Sequence, residues 1–298
     1  MKIIIAPILL RRIASVKFPL IIEPGLSIKD FPIRTREEFF DIRNLKVNGH
    51  SVSYKPANSN EIFSHKAPFG LIGLDYLTLF RAESYIEIKG EDDVPTHILQ
   101  PKLYLVNKAL KILKSGSAGF LFAKFSGEVE TKDWHQGAII TTGINPIYGG
   151  DYVLTKSDVQ ELKSIYRILS QRQNDEKTTM LVEKFVMAVS KNLRKHMRVL
   201  ELFSILESLY LPEPAQGELS FRLSQRIAKL IYKRKRYEHY KEVRKLYIKR
   251  SILVHQSKDK FSDEEIKTLE NITRTSLHLF LKEPMSFERN QLYKLFLQ

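Results

Sequence analysis

A long series of regularly spaced apolar residues in the second half of the chain constrains the fold most strongly. Their steps of four and then three residues are typical of a helix face that packs lengthwise against other helices. The series comprises Leu181, Phe185, Val189, Leu193, Met197, Leu200, Phe203, Leu206 and Leu209. Pro212, Pro214 and Gly217 follow and predict the end of this helix. Such a face needs helical partners, so the pattern predicts a helical bundle.

Further helices are predicted on both sides of this series. Ser157 followed by Gln160 predicts a capping box for a helix that carries Val159, Leu162, Tyr166 and Leu169. A later helix carries Leu219, Leu223, Ile227 and Leu230. The last long helix is predicted to begin at Ser262 as N-cap, with Glu265 three residues on and Phe261 stapled to Ile266. We therefore expect an all-α bundle of four or five helices over residues 155–298.

The first half of the chain has a different texture. Short β-prone runs at Ile3–Leu10, Tyr85–Ile88 and Gly119–Phe125 alternate with Pro, Gly and Asn, and one helix is predicted near Pro101–Leu113. The sequence thus predicts an α+β protein, with a β-rich N-terminal domain at residues 1–154 and the helical domain at residues 155–298.

The charge and composition of the chain indicate which class of partner and which compartment to expect. The formal net charge is +14 and the isoelectric point is about 9.6, which favours an anionic partner such as nucleic acid or a membrane surface. The chain has no cysteine, which excludes disulfides and thiolate metal sites and agrees with a reducing compartment. The apolar run Ile3–Leu10 is interpreted as a buried strand rather than a signal peptide, and no stretch approaches a membrane span. We expect a soluble cytoplasmic protein without a membrane partner.

The positive charge is concentrated in residues 229–250, which contain ten Lys or Arg and only two Glu and so carry a net charge of +8. Tyr232, Tyr237, Tyr240 and Tyr247 are interleaved with these cations, and tyrosines can stack on bases. A solvated helix face with half-buried tyrosines is the alternative. If the segment contacts RNA, the predicted contacts are Lys233, Arg234, Lys235, Arg236 and Lys249.

Arg250 and His255 lie directly after this segment. On a helical wheel Arg250 falls in the middle of an apolar arc formed by Val243, Leu246, Tyr247, Leu253 and Val254. A guanidinium in a packing stripe is matched to a partner or exposed in a cleft, so Arg250 either forms an ion pair with Glu207, Glu218 or Glu242 or serves a function. Arginine suits phosphate and histidine transfers protons near neutral pH, which together indicate chemistry on a phosphodiester.

RNA cleavage without a metal needs a proton acceptor, a proton donor and a cation for the phosphorane. Histidine and arginine supply these, and the sequence offers no metal site or cofactor motif. Residues five apart on a helix differ by about 140°, so Arg250 and His255 do not share a face, whereas Ser251 and His255 do and Ser251 could orient the imidazole. We therefore favour completion of the site by a second subunit in a homodimer.

Three blocks in the second half carry a family resemblance. They are residues 206–211 (LESLYL), 217–228 (GELSFRLSQRIA) and 247–255 (YIKRSILVH). In this order they resemble the HEPN superfamily, and within it the ApeA-like branch, over about residues 155–298. The resemblance implies an all-α bundle that dimerises and acts as a metal-independent endoribonuclease, leaving a 2′,3′-cyclic phosphate and a 5′-hydroxyl.

The resemblance also implies roles for single residues. Arg250 and His255 match the catalytic R-x4-6-H motif, and Glu207 and Glu218 are expected to help shape the site. Ser251 stands where the superfamily often has Asn, Asp or His, and serine is a weaker orienter. Many relatives act in antiviral defence or as toxins, so an antitoxin or trigger is an expected partner, acting through the N-terminal domain. The alternatives are a non-catalytic RNA-binding or regulatory module of the same fold and, less favoured, a peripheral membrane protein.

Overall fold

The structure is a computed structural model that describes residues 2–8, 11–12, 16–32, 46–47, 50–51, 82–91, 94, 96–116, 118–120, 123–126, 152–189, 193–212, 218–256 and 258–297. This part of the chain combines a small antiparallel sheet near the N-terminus with helices that lie mostly in the C-terminal half. The predicted α+β content is therefore confirmed.

The chain divides into two compact units. The first comprises Met1–Asn107 and Gly116–Val159, and the second comprises Lys108–Ser115 and Gln160–Gln298. Each unit therefore consists of two segments of the chain. The predicted domains at residues 1–154 and 155–298 stay predictions.

Within the described residues of the first unit there are nine short strands: β1 (Lys2–Ile8), β2 (Arg11–Arg12), β3 (Leu20–Glu23), β4 (Leu26–Asp30), β5 (Lys46–Val47), β6 (His50–Ser51), β7 (Ser84–Gly90), β8 (Lys124–Ser126) and β9 (Val153–Leu154). Five of them form an antiparallel sheet in the order β3-β4-β7-β1-β8. Strands β2 and β9 pair in parallel, and β5 pairs with β6 in an antiparallel ribbon. Ile4, Ala6 and Ile8 are buried at every second position of β1, as expected for a strand with one face on a core.

The predicted strands are found with altered limits. Residues 3–8 of the run Ile3–Leu10 lie in β1, and the last two residues of that run lie outside the described residues. The run Tyr85–Ile88 lies within β7. The run Gly119–Phe125 does not form one strand, since only its last two residues enter β8. Gly119 has a φ of 147°, which L side chains rarely adopt and which interrupts extended pairing there.

Eight α-helices are described: α1 (Thr96–Leu113), α2 (Lys156–Gln171), α3 (Glu176–Val189), α4 (Lys195–Tyr210), α5 (Leu219–Ile231), α6 (Arg236–Gln256), α7 (Asp263–Lys282) and α8 (Arg289–Leu297). A 3₁₀ turn at Pro284–Phe287 precedes α8. None of the described helices is long and apolar enough to cross a membrane.

The prediction of one continuous helix over Leu181–Leu209 is wrong. The segment forms two helices, α3 and α4, which contact each other, and Leu193 lies outside both. Two consecutive helices that face the same core show the same apolar spacing, so periodicity alone does not locate the break between them. Met197, a member of the predicted series, is 41% exposed, and α4 instead buries Val199 and Leu202.

One of the two predicted capping boxes is displaced. At the start of α2 the amide of Thr155 donates to Asp158 Oδ2 at 2.7 Å and the amide of Asp158 donates to Thr155 Oγ1 at 3.4 Å, so Ser157 is not the cap. The predicted box at α7 is confirmed: Ser262 Oγ accepts from the amide of Glu265 at 3.2 Å, and Glu265 Oε2 accepts from the amide of Ser262 at 3.0 Å.

Helix α4 lies at the centre of the second unit and contacts α3, α5, α6 and α7. Seven of its side chains are buried: Val199, Leu202, Phe203, Ile205, Leu206, Leu209 and Tyr210. The fully buried Arg226 of α5 donates to the main-chain oxygen of Tyr210 at 2.5 Å and so ties α5 to the end of α4. This packing fixes the face of α4 on which Glu207 lies.

Candidate functional site

Arg250 of α6 is paired with Glu207 of α4. Its Nη2 lies 3.2 Å from Glu207 Oε1 and donates to Oε2 at 3.3 Å. The two side chains are 26% and 27% exposed, so the pair lies at the edge of the core and remains open to solvent. Of the three carboxylates left open by the sequence, Glu207 is therefore the partner. The Nε of Arg250 is buried and has no hydrogen-bond partner among the described residues.

Tyr247 completes a three-residue cluster with Glu207 and Arg250, which we call the Arg250 cluster. The guanidinium carbon of Arg250 lies 5.6 Å from the centroid of the Tyr247 ring, and the Phe203 ring makes a T-shaped contact with Tyr247 at a centroid distance of 5.6 Å. Burial, followed by the charge of Glu207 and a hydrogen bond to it, raises the pKa of Tyr247 to about 12, against an opposing effect of Arg250. The phenol is consequently neutral at physiological pH.

Sequence reasoning placed Tyr247 in the apolar arc and missed its part in this cluster. The signal that could have found it is its spacing: Tyr247 and Arg250 are three residues apart and therefore neighbours on one helix face.

His255 lies on the last turn of α6 and is exposed. Its imidazole has no hydrogen bond or ion pair within the part of the chain that the structure describes. Because His255 follows Arg250 by five residues on the same helix, the two side chains point about 140° apart around the helix axis. Ser251 is half-buried and forms no described bond with the imidazole. A single protomer thus brings Arg250 to Glu207 but does not present Arg250 and His255 on one face.

The predicted burial of Val254 is wrong. Val254 is 45% exposed, whereas Val243, Leu246, Tyr247 and Leu253 of the same predicted arc are buried. Residues 254–256, which end α6, are all exposed, so the helix leaves the core after Leu253.

Glu218 occupies the N-cap position of α5 and is exposed. It adopts a left-handed conformation with a φ of 48°, and its main-chain oxygen accepts from the amide of Arg222 at 3.0 Å. No described contact joins Glu218 to Arg250, so the structure does not bring it into the Arg250 cluster.

The predicted RNA contacts fall into two groups. Lys233, Arg234 and Lys235 form the exposed turn between α5 and α6, and the exposed Arg236 begins α6, where its Nε donates to the main-chain oxygen of Tyr232 at 2.9 Å. Their role in RNA binding stays a prediction.

Lys249, the fifth predicted contact, has a structural partner. Its Nζ donates to both carboxylate oxygens of Glu265 at 2.6 and 2.7 Å and to the main-chain oxygen of Lys260 at 3.0 Å. Burial would by itself raise the pKa of Glu265, but the hydrogen bond from Lys249, the amide of Ser262 and the nearby lysine charges lower it overall. Lys249 thus links α6 to the N-terminus of α7.

Among the described residues, no group of three or more His, Asp or Glu side chains is arranged to hold a metal ion. Comparison with known proteins gives no match to a family model, to a curated protein or to a solved structure.

Proposed function

We propose that the chain is a metal-independent endoribonuclease of the HEPN type, acting in antiviral defence or as a toxin in the cytoplasm, with Arg250 and His255 as its catalytic residues. One observation carries the proposal. Arg250 is paired with Glu207, its side chain is 26% exposed, and an exposed histidine follows on the same helix. Both lie at the end of the segment that contains more than half of the net charge.

The two groups suit in-line attack on a phosphodiester. The ribose 2′-oxygen attacks phosphorus, its proton passes to a neutral imidazole, and the 5′-oxygen leaves with a proton from a protonated imidazole. The products are a 2′,3′-cyclic phosphate and a 5′-hydroxyl. Arg250 would bind the non-bridging oxygens, since a guanidinium offers two parallel donors. Glu207 would act as a positioning residue that fixes the direction of this guanidinium.

A homodimer would supply two imidazoles to one site. It would also allow Arg250 and His255, which point in different directions on one helix, to meet in the same cleft. Around α6, the direction of Val254 lies between those of Arg250 and His255. Val254 is apolar and 45% exposed, so a second copy that packs on this side of α6 would cover it and bring both catalytic groups to the shared cleft. The first unit would then sense a trigger or bind an antitoxin.

The test is an incubation of the purified full-length chain with total RNA in EDTA, followed by end-group analysis of the fragments. We expect cleavage that leaves cyclic phosphate ends and that falls at least 100-fold, or about 2.7 kcal/mol, in His255→Ala and Arg250→Ala. His196→Ala is the matched control, since His196 is a half-exposed histidine of α4 outside the Arg250 cluster. Unchanged cleavage by His255→Ala would remove this assignment of the site.

The second candidate is a non-catalytic RNA-binding or regulatory module with the same site residues. It is favoured by two features: the charge of Arg250 is already met by Glu207, and the imidazole of His255 has no described partner that orients it. In that case the wild-type chain would bind RNA in the same assay and leave its length unchanged.

A further inference from the structure

Two tyrosines on the first turns of α6, the exposed Tyr237 and the half-buried Tyr240, form an ordered aromatic surface. The rings of Tyr237 and Tyr240 are nearly parallel, with an interplanar angle of 16° and centroids 6.2 Å apart. Phe221 of α5 packs edge-on against Tyr240 at 6.0 Å and supports the pair from behind. Tyr237 is 67% exposed, the highest value among the large apolar and aromatic side chains in the described residues. Its ring is therefore held in place while remaining open to solvent.

Two cations accompany these rings. The Nζ of Lys241 lies 4.5 Å from the centroid of Tyr237, and the guanidinium carbon of Arg244 lies 6.0 Å from that of Tyr240. Arg244 also donates to the Tyr240 hydroxyl at 3.2 Å. Neither cation has a carboxylate partner within the described residues, in contrast to Lys249 and Arg250 on the same helix. We call Phe221, Tyr237, Tyr240, Lys241 and Arg244 the α6 platform.

The platform and His255 share one face of α6. Tyr237, Lys241, Arg244, Ile248 and His255 are separated by steps of four, three, four and seven residues, which keep them within about 40° of one direction. All five are exposed. From Tyr237 to His255 the helix makes about five turns and rises about 27 Å. This face thus runs unbroken from the tyrosine pair to the imidazole.

We propose that the α6 platform binds unpaired nucleotides by stacking a base on Tyr237, with Lys241 and Arg244 holding the adjoining phosphates, and that it guides the strand along α6 toward His255. The proposal deepens the proposed function and rests on it for the chemistry at His255. A nearly parallel pair of rings, of which Tyr237 is exposed, beside two cations without a carboxylate partner among the described residues is suited to a base with its phosphate, because every base has a π-face and a duplex buries those faces. With the rise of about 3.4 Å per nucleotide in a duplex strand as the shortest spacing, at most about eight nucleotides span the distance to His255.

Binding is tested by fluorescence anisotropy of the full-length chain in EDTA, in the His255→Ala background so that the probe stays intact. The probes are a 15-nucleotide unstructured RNA and a 15-base-pair RNA duplex. We expect Tyr237→Ala to weaken single-strand binding about tenfold and to leave duplex binding within twofold. Tyr237→Phe keeps the ring and is expected to bind both probes within twofold of the unaltered background.

Three results would overturn the proposal: equal single-strand affinity of Tyr237→Ala and its background, an equal loss for the duplex, or a loss in Tyr237→Phe as large as in Tyr237→Ala. Flotation of the chain with anionic phosphatidylserine vesicles, combined with no Tyr237-dependent RNA binding, would also overturn it and assign the surface to a membrane.

A kinetic arm separates this proposal from the nuclease proposal. In the chain with His255 intact, Tyr237→Ala should raise KM about tenfold for the 15-nucleotide RNA and leave it unchanged for a dinucleotide RNA, which is too short to span the rise of about 27 Å to the platform. Tyr237-dependent binding without any cleavage would retain the platform and refute the nuclease. Cleavage whose KM does not depend on Tyr237 at either length would refute the platform and retain the nuclease.

Discussion

Replacing Glu207 with Gln should leave the guanidinium of Arg250 at the edge of the core without its counter-charge, while the size of the side chain is kept. Fully exposed ion pairs contribute about 0.2–1 kcal/mol, whereas removing one partner of a fully buried pair costs about 3–5 kcal/mol. Because both side chains are about a quarter exposed, we expect Glu207→Gln to lower the free energy of unfolding by about 2 kcal/mol.

A double-mutant cycle separates the pairing from other losses. Arg250→Met keeps the apolar stem of Arg250 on the Tyr247 ring and removes the charge. If the two side chains are coupled as the structure indicates, the double variant loses less than the two single variants together, with a coupling free energy of about 1–2 kcal/mol. The measurement is urea unfolding followed by circular dichroism at pH 7, where the signal comes mostly from the helices of the second unit.

Glu264→Gln serves as the control for this cycle, since Glu264 is an exposed carboxylate on the first turn of α7. It should cost less than about 0.5 kcal/mol and show no coupling to Arg250→Met. A coupling free energy between Glu207 and Arg250 that is indistinguishable from zero would refute the reasoning, because Arg250 would then be placed by its own helix alone.

Two further substitutions probe the surroundings of the site. Glu265→Gln should lower the free energy of unfolding by about 1 kcal/mol at pH 7. Because the pKa of Glu265 is lowered in the folded chain, its ionised carboxylate stabilises the fold at pH values above the ordinary pKa of 4.5. That contribution is lost as the pH falls below 4.5 through the lowered pKa, so the urea midpoints of wild type and variant should converge on acidification, and a difference that does not shrink would contradict the assignment. Tyr247→Phe should cost about 1 kcal/mol by thermal unfolding, since it removes the phenol bonded to Glu207 and keeps the contact with Phe203, and an unchanged midpoint would show that this bond is absent.

The parts of the fold that could be predicted from sequence are those specified by neighbouring residues. The capping box of α7 needs only Ser262 and a carboxylate three residues on, and the structure has it. The break between α3 and α4 could not be predicted in this way, because each helix keeps the spacing that a continuous helix would show. The exposure of Val254 depends on where the neighbouring helices end rather than on its own position in the apolar arc.

The features of the candidate site also divide into those that local sequence predicts and those that depend on how the helices pack. The angle between Arg250 and His255 follows from helix geometry and needs no knowledge of the fold. The choice of Glu207 as partner of Arg250 and of Glu265 as partner of Lys249 depends on contacts across 43 and 16 residues of chain. Such contacts are set by how the helices pack, which residue types and spacings do not determine.

The last turn of α1 belongs to the second unit and limits how that unit can be separated from the rest of the chain. Residues 108–115 belong to that unit, and the buried guanidinium of Arg274 on α7 donates from Nε to the main-chain oxygen of Lys111 at 3.2 Å. A fragment that starts at residue 155 would lack this acceptor and would uncover the surface on which the turn rests. The helical unit therefore cannot be excised or transplanted by gene fusion with a single junction, and shuffling of its coding region would have to carry the upstream turn along.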